Sequence, residues 1–186
     1  MTAVGHMMFS VTSLILVHKL GITPEFIHGD WLHLLVGVLF GSLLPDIDHP
    51  CSLLGSKFRF ISIPISRLCG HRGFTHSFCA WLLIILFFFK LPCNQITCDF
   101  VLTEGLLLGY LSHIIGDMLT IRGVPFLWPL KLTFCLPILG NNNNIKYERF
   151  IIIIFFIFVV CIPSTFQFSL LPALYEIKKI YDHFLL

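Results

Sequence analysis

The chain has 186 residues, of which 56% are hydrophobic and only 12% are charged. Ordinary soluble domains carry about 25% charged residues, so this composition argues against a soluble globular enzyme. The high hydrophobicity also excludes a disordered chain. A formal net charge of +2 gives no basis for binding nucleic acid. We therefore expect an all-α, polytopic membrane protein in which residues 1–186 form a single integral membrane domain.

Five stretches are candidates for membrane-spanning helices, each of which needs about 20 mostly apolar residues. Three are continuous and comprise residues 74–91, 100–119 and 150–168. Two are weaker, because residues 4–20 contain His6 and His18 and residues 27–44 begin with several polar side chains. Ionisable groups that face lipid are costly, so these polar side chains should face protein. The prediction is a bundle of five spans, with four as the alternative.

Basic residues are concentrated in two of the connecting segments. The segment between the second and third spans and the segment between the fourth and fifth carry Lys57, Arg59, Arg67, Arg72, Arg122, Lys131, Lys146 and Arg149. The other two connections carry little beyond Lys19 and Lys90. The positive-inside rule places the basic segments in the cytoplasm. The N-terminus then lies in the cytoplasm, and with five spans the C-terminus lies outside.

Histidine and aspartate occur in three clusters near the ends of the predicted spans. The clusters are residues 45–50 (Pro-Asp-Ile-Asp-His-Pro), 71–77 (His-Arg-Gly-Phe-Thr-His-Ser) and 113–117 (His-Ile-Ile-Gly-Asp). The predicted topology brings all three to the cytoplasmic end of the bundle, together with His6. Because that topology was derived from lysine and arginine alone, this convergence is an independent indication of a site.

Histidine nitrogens and aspartate oxygens are suitable ligands for zinc, iron or manganese. His113 and Asp117 are four residues apart, so a helix places them on one face. Asp48 and His49 can offer ligands from a loop, with Asp46 as a further ligand or as a partner of a ligating histidine. His71 and His76 lie on either side of a glycine that permits a tight turn. The clusters therefore predict a shared metal site.

Other chemistries have little support in the sequence. The seven cysteines are odd in number and form no C-x-x-C pair, so we interpret them as small apolar residues. A serine-hydrolase G-x-S-x-G motif does not occur. Neither a dinucleotide-binding G-x-G-x-x-G motif nor a P-loop occurs.

At these clusters the sequence resembles the YdjM-like family of bacterial membrane-bound metal-dependent hydrolases. The matching elements are Gly5-His6 and residues 43–49, 71–77 and 109–117, followed by a Gly and aromatic-Pro segment at 123–129. The resemblance covers about residues 1–131, whereas residues 132–186, with the last span and the tail, show no matching motif. It implies an inner-membrane protein with hydrolase activity and a divalent metal cofactor, zinc first, with manganese, iron or magnesium as alternatives. By motif position it places in the metal site His6, Asp46, Asp48, His49, His71, His76, His113 and Asp117.

The first functional hypothesis is metal-dependent hydrolysis. A divalent ion lowers the pKa of bound water and polarises the scissile group. Asp46 or Asp117, whichever is not a ligand, would act as the general base. Arg72 would stabilise developing negative charge. The depth of the site favours a substrate from the bilayer, such as a lipid or another phosphoester, and membrane lipids are the expected partners.

Two other hypotheses use the same residues. The protein could bind a metal without hydrolysis, as a component of transport, sensing or a stress response. Transport would require a polar path through the bundle, for which His33 and Glu104 are the only obvious candidates nearer the other side. Alternatively, the polar clusters only cap helices and contact lipid head groups.

Overall fold

The computed structural model describes residues 1–70, 72–90, 100–130, 132–139 and 145–163, apart from the side chains of residues 89 and 90. Within these ranges the protein is mostly helical, which agrees with the predicted helical character of the fold. The helices are α1 Ala3–Leu20, α2 Pro24–His28, α3 Trp31–Gly41, α4 Arg59–Cys69, α5 Phe78–Lys90, α6 Phe100–Met118 and α7 Ile145–Cys161. Two 3₁₀ turns, Pro45–Asp48 and Phe74–His76, precede α4 and α5 respectively, and a short antiparallel pair is formed by β1 Val124–Pro125 and β2 Thr133–Phe134.

Two stretches of the described residues combine the length and the mean hydropathy of a membrane span. They are Ala3–Leu20 and Trp31–Asp48, each with a mean hydropathy of 1.3. A shorter apolar helical stretch covers Phe78–Phe88. Length and composition thus indicate two spans near the N-terminus, and the five-span arrangement stays a prediction. Residues 164–168 of the last predicted span, and the tail that follows, lie outside the described residues.

The second predicted span is not one continuous helix from residue 27 to residue 44. The short helix α2 ends at His28, and α3 begins at Trp31. The reason is local, because the Asp30 carboxylate accepts a hydrogen bond from the Leu32 N–H at 3.1 Å and caps the new helix. Helix α3 is therefore preceded by a polar cap that remains exposed to solvent.

Helices α3 and α6 are in close contact through glycines spaced four residues apart on each helix. A Cβ atom at Gly37 or Gly41 would overlap the backbone of α6, and one at Gly105 or Gly109 would overlap the backbone of α3. Without a Cβ the two backbones can approach closely, which is how small-xxx-small helix pairs pack in membranes. This contact fixes the register between the end of α3 and the end of α6.

The directions of the helices follow from their contacts. Helix α6 runs parallel to α3, since Gly37 packs near Gly105 and Gly109 packs near Ser42. Helix α1 runs antiparallel to α6, because His6 contacts the end of α6 while Thr23, just after α1, donates a hydrogen bond to Glu104 near the start of α6.

The directions of α5 and α7 also follow from their contacts. Trp81 of α5 donates its indole N–H to the Leu107 carbonyl at 3.0 Å, and earlier residues of this segment contact later residues of α6, so the two helices are antiparallel. Helix α7 runs parallel to α1, because Glu148 accepts hydrogen bonds from Thr2 and Lys19 donates to carbonyls at the end of α7. The starts of α1, α5 and α7 therefore lie at the same end as the ends of α3 and α6.

Candidate metal centre

Four separate elements deliver polar side chains to the end of the bundle where α3 and α6 finish. His6 comes from the first turns of α1, and Asp46 comes from the 3₁₀ turn after α3. His76 comes from the 3₁₀ turn before α5, while His113 and Asp117 lie one turn apart on the last part of α6. Apart from Asp46, whose side chain is 22% exposed, all are buried. Residues far apart in the sequence thus form one buried cluster.

The closest approach in this cluster joins two histidine nitrogens. His76 Nε2 lies 3.3 Å from His113 Nε2. The Nδ1 atom of His113 lies 2.6 Å from the carbonyl oxygen of Ser42, which can only accept, so Nδ1 carries the proton of a neutral ring and Nε2 presents a lone pair. The Nδ1 atom of His76 lies 3.1 Å from Asp48 Oδ2, which fixes the same tautomer. A cation between the two lone pairs, either a proton or a metal ion, relieves their repulsion.

Two carboxylates face the same pair of nitrogens. Asp46 Oδ1 lies 3.5 Å from the His76 Nε2 atom and 3.7 Å from the His113 Nε2 atom. Asp117 Oδ2 lies 3.7 Å and 3.9 Å from the same two atoms. Two nitrogen ligands at 2.0–2.1 Å from a tetrahedral zinc ion lie about 3.3–3.4 Å apart, so the donor set fits a divalent ion. A single shared proton would use only two of these four donors.

Asp48 holds His76 in place from behind. Its Oδ2 atom accepts hydrogen bonds from the Thr75 hydroxyl at 2.7 Å and from the Arg72 backbone N–H at 3.0 Å, in addition to its contact with His76. The side chain of Asp48 is fully buried. A carboxylate on the far nitrogen of a ligating histidine orients the ring and raises its basicity. The structure therefore gives Asp48 a supporting position behind a candidate ligand.

Arg72 links the supporting residues to Asp117. Its Nη2 atom donates to Asp117 Oδ1 at 2.9 Å, and its Nη1 atom donates to the Thr120 hydroxyl and the Gly123 carbonyl, both at 3.3 Å. The backbone of Arg72 has φ of 61°, a left-handed conformation that is strained for a residue with a side chain. This conformation lets the backbone N–H reach Asp48 while the guanidinium reaches Asp117.

His6 extends the cluster on the side of α1. Its ring stacks on the ring of His113 with centroids 3.6 Å apart, and its Nε2 atom lies 3.3 Å from Asp117 Oδ1. Its Nδ1 atom is buried and has no hydrogen-bond partner among the described residues. A Cβ at position 116 would lie 3.4 Å from this nitrogen, so Gly116 leaves room for the ring. His6, His113 and Asp117 thus form a second candidate ligand group that shares members with the first.

Comparison with known proteins agrees with the prediction that the chain is a membrane protein. The model of the YdjM inner membrane protein family matches residues 1–175. The chain belongs to the YdjM inner membrane protein family. The predicted family is therefore confirmed, and the match extends beyond the motif-bearing residues 1–131.

Relatives with substantial identity occur in several bacteria. The chain is 44% identical over 167 residues to the inner membrane protein YdjM of Escherichia coli (strain K12) and to that of Shigella flexneri, covering 89% of this chain and 84% of each relative. It is 39% identical over 108 residues to the uncharacterized protein YvsG of Bacillus subtilis (strain 168), covering 58% of this chain and 64% of the relative. No solved structure matches the chain significantly.

The structure brings together most of the residues that the family motifs indicated. The predicted residues His6, Asp46, His76, His113 and Asp117 converge as candidate ligands, and Asp48 and Arg72 contact them.

Of the other two predicted residues, His49 stands apart from the candidate ligand groups. The Nδ1 atom of His49 accepts a hydrogen bond from the Cys51 N–H at 3.2 Å, and His49 joins neither group. His71 lies outside the described residues.

Several groups that contact the site residues had no predicted role in holding the site, among them Ser42, Thr75 and Thr120. The Ser42 carbonyl fixes the tautomer of His113, and the Thr75 hydroxyl donates to Asp48. Thr120 accepts a hydrogen bond from Arg72. A backbone carbonyl has no residue signature, so the role of Ser42 could not have been read from the sequence. The Thr-His pair at 75–76 did carry a signal, since a hydroxyl beside a candidate ligand is a frequent hydrogen-bonding partner.

Proposed function

We propose that this inner-membrane protein is a metal-dependent hydrolase whose ion is held at the cytoplasmic end of the bundle. The observation that carries the proposal is the convergence of two histidine lone pairs and two carboxylates on one point. The Nε2 atoms of His76 and His113 are 3.3 Å apart, and oxygens of Asp46 and Asp117 lie within 3.9 Å of both. Such a mixed nitrogen and oxygen set suits zinc first, with manganese, iron and magnesium as alternatives.

The location of the site is part of the proposal. The helix directions are those of five spans that alternate through a bilayer, with α1, α3, α5, α6 and α7 as the spans. The two segments rich in lysine and arginine connect helices at the end that carries the His/Asp cluster. With the positive-inside rule, this end and the N-terminus lie in the cytoplasm.

The residues divide into holding and reacting roles. His76, His113 and Asp117 would hold the ion, which when bound supplies Lewis-acid activation of water and of the scissile group. Asp46 is the most exposed carboxylate of the cluster, so it is the one that entering water meets and the one that would take up the water proton. Asp48 keeps His76 oriented, and the Ser42 carbonyl does the same for His113.

Arg72 favours an anionic substrate such as a phosphoester. Its Nε atom is buried and has no hydrogen-bond partner among the described residues, although both terminal nitrogens are engaged. A guanidinium beside the reacting centre would stabilise charge that develops on a phosphoryl or carboxyl oxygen. This position beside Asp117 gives Arg72 a role in the reaction as well as in the fold.

A binding role without hydrolysis is the second candidate. The observation that favours it is the group formed by His6, His113 and Asp117, in which all three side chains are fully buried. A site closed to water can store, sense or pass a metal ion but cannot admit a substrate. Metal binding without turnover of any phosphoester would support this candidate.

The deciding experiment measures metal content and hydrolysis on the same preparations. Detergent-purified protein, His76→Ala and Asp117→Ala would be analysed by mass spectrometry for bound metal, with His33→Ala as the matched control. His33 lies at the opposite end and pairs with Asp30. The proposal predicts about one ion per chain and phosphoester hydrolysis in the wild type and His33→Ala, and neither in the two site variants. Full metal content in His76→Ala would contradict it.

A further inference from the structure

An apolar groove of about 330 Å³ opens beside the candidate metal centre. Its inner end is formed by residues adjacent to the site in sequence, since Leu44 and Ile47 lie close to Asp46 and Thr75 precedes His76. Tyr110, also at this end, donates its hydroxyl to the Thr75 carbonyl. The groove is thus continuous with the residues that hold the metal ligands.

From this inner end the groove follows α5 away from the cytoplasmic end. Ala80, Leu83, Ile84 and Phe87 line it at the spacing of one helix face. At 1.5 Å per residue, this face extends for about 10 Å along the helix. Leu83 and Phe87 are 53% and 61% exposed, so the groove is open along its side. A slot of this form would accept a flexible apolar chain from the bilayer.

The charges at the two ends of the groove differ. The outer part is lined by apolar side chains, whereas the inner end lies at the end of the bundle that carries the basic connections. There Thr75, which lines the groove, donates to Asp48, and Asp48 also accepts a hydrogen bond from the Arg72 backbone N–H. A phospholipid has the complementary distribution, with an anionic phosphate at one end and an acyl chain at the other. Because α5 would be in contact with lipid, such a molecule reaches the groove sideways without leaving the bilayer.

We propose that the groove along α5 binds one acyl chain of an anionic phospholipid whose phosphate lies at the metal centre. The assignment of that phospholipid as a substrate rests on the proposed hydrolase function. The binding of the lipid itself rests on the groove, on its continuity with Asp46 and His76, and on the basic connections at that end of the bundle.

The second apolar groove shows why the groove along α5 is the better lipid site. It has a volume of about 400 Å³ and lies between α1, α3 and α7, lined by residues that include Met8, Val11, Leu39 and Phe156. None of the candidate metal ligands or their supporting residues lines it. An acyl chain bound in this second groove would therefore not place its head group at the His/Asp cluster.

The test uses a phosphatidic acid that carries a photoreactive diazirine in its acyl chain. The full-length, zinc-loaded protein would be placed in phosphatidylcholine nanodiscs with this probe, irradiated, and mapped by peptide mass spectrometry. Leu83→Trp fills the groove, and Leu82→Trp is the matched control on the same helix, exposed but outside the groove lining. We expect labelling at positions 83–87 in the wild type. In Leu83→Trp this labelling should fall about tenfold, because the acyl chain would lose the burial of about two methylene groups. Leu82→Trp should label as the wild type does.

The outcomes distinguish lipid binding in the groove from hydrolase activity at the metal centre. Equal labelling of both variants, or labelling mainly at Met8 and Phe156, is what surrounding bilayer lipid would give and would overturn the groove. Turnover of a soluble phosphoester such as glycerol phosphate, with no groove labelling, would leave the hydrolase standing and sink the lipid inference. Groove labelling that is lost in Leu83→Trp, with no turnover of any phosphoester, would uphold lipid binding and refute the hydrolase.

Discussion

His18 and His113 lie at opposite ends of the bundle and share the same local contact between the ring and a backbone carbonyl. In each ring Nδ1 lies 2.6 Å from a backbone carbonyl, that of Phe26 for His18 and that of Ser42 for His113. The difference is the surroundings of the rest of the ring. His18 packs against the edge of Trp31, with centroids 4.6 Å apart, whereas the Nε2 atom of His113 meets the Nε2 atom of His76.

The acid–histidine pairs at the two ends differ in the same way. Asp30 and His33 form a 2.5 Å contact within one helix turn, with both side chains more than half exposed. Asp48 and His76 come from two different segments, and both are fully buried. A histidine bonded to a carbonyl or a carboxylate is therefore common to both ends. The convergence of the second histidine nitrogens in a buried space is found at the end that carries the His/Asp cluster, and this feature makes that end a candidate metal centre.

The largest effect should come from removing a converging nitrogen. His113→Ala removes a member shared by both candidate ligand groups, so we expect zinc affinity to fall by more than about 100-fold, beyond the 10–100-fold loss typical of residues that only support ligands. His18→Ala removes a similar ring with a similar carbonyl bond and should leave zinc affinity unchanged. Competition with a fluorescent chelator measures both. An equal loss in the two variants would mean that burial and fold, rather than convergence, set the affinity.

The next effect should come from the carboxylate behind the ligand. Asp48→Asn keeps the shape but removes the charge that orients and polarises His76, so zinc affinity should fall by about 10–100-fold. Asp30→Asn makes the same change beside His33 at the exposed end and should have no effect. The same chelator competition checks this pair. If Asp48→Asn bound zinc like the wild type, Asp48 would have no role in holding the site.

The third effect is a change of affinity with pH. Without a metal ion, a proton between His76 and His113 relieves the repulsion of their Nε2 lone pairs, and it must leave when a metal ion binds. Zinc affinity should therefore rise with pH, by about tenfold per pH unit for each proton released. The rise should continue as long as the metal-free histidine pair still holds its proton. Calorimetry in two buffers of different ionisation enthalpy counts the protons. Zinc binding without proton release would show that the ion lies elsewhere than between these rings.

Much of this site could be predicted from its residues. The motifs and the distribution of lysine and arginine predicted that five candidate ligands meet at one end of the bundle. These are His6, Asp46, His76, His113 and Asp117. Which member of the pair Asp48 and His49 turns inward could not be predicted, because neighbouring residues of a 3₁₀ turn differ in direction by about a third of a turn. The left-handed backbone of Arg72 and the carbonyl of Ser42 were also beyond the sequence, since both depend on tertiary packing.

The fold was predictable to a similar depth. Helices α1 and α6 begin and end close to the predicted boundaries, because long apolar runs decide them. The division of residues 27–44 at Asp30 carried a signal that could have been used, an aspartate directly before an apolar helical run, which is a typical N-cap. The parallel packing of α3 on α6 through Gly37, Gly41, Gly105 and Gly109 needed the structure, since the glycine spacing does not say which helices pair.

The smallest effect should come from the polar contact at the opposite end. Thr23→Val removes the hydrogen bond to Glu104 Oε2 at 2.6 Å and the side-chain cap of α2, which together should cost about 1–2 kcal/mol of stability. Because this end holds local pairs and no convergent ligand set among the described residues, zinc affinity should remain within the error of the wild-type value. Thermal unfolding of the zinc-free protein and chelator competition measure the two quantities on one preparation. A Thr23→Val protein that lost zinc affinity as well as stability would show that the two ends are coupled through α6, and that the metal centre cannot be understood from its own residues alone.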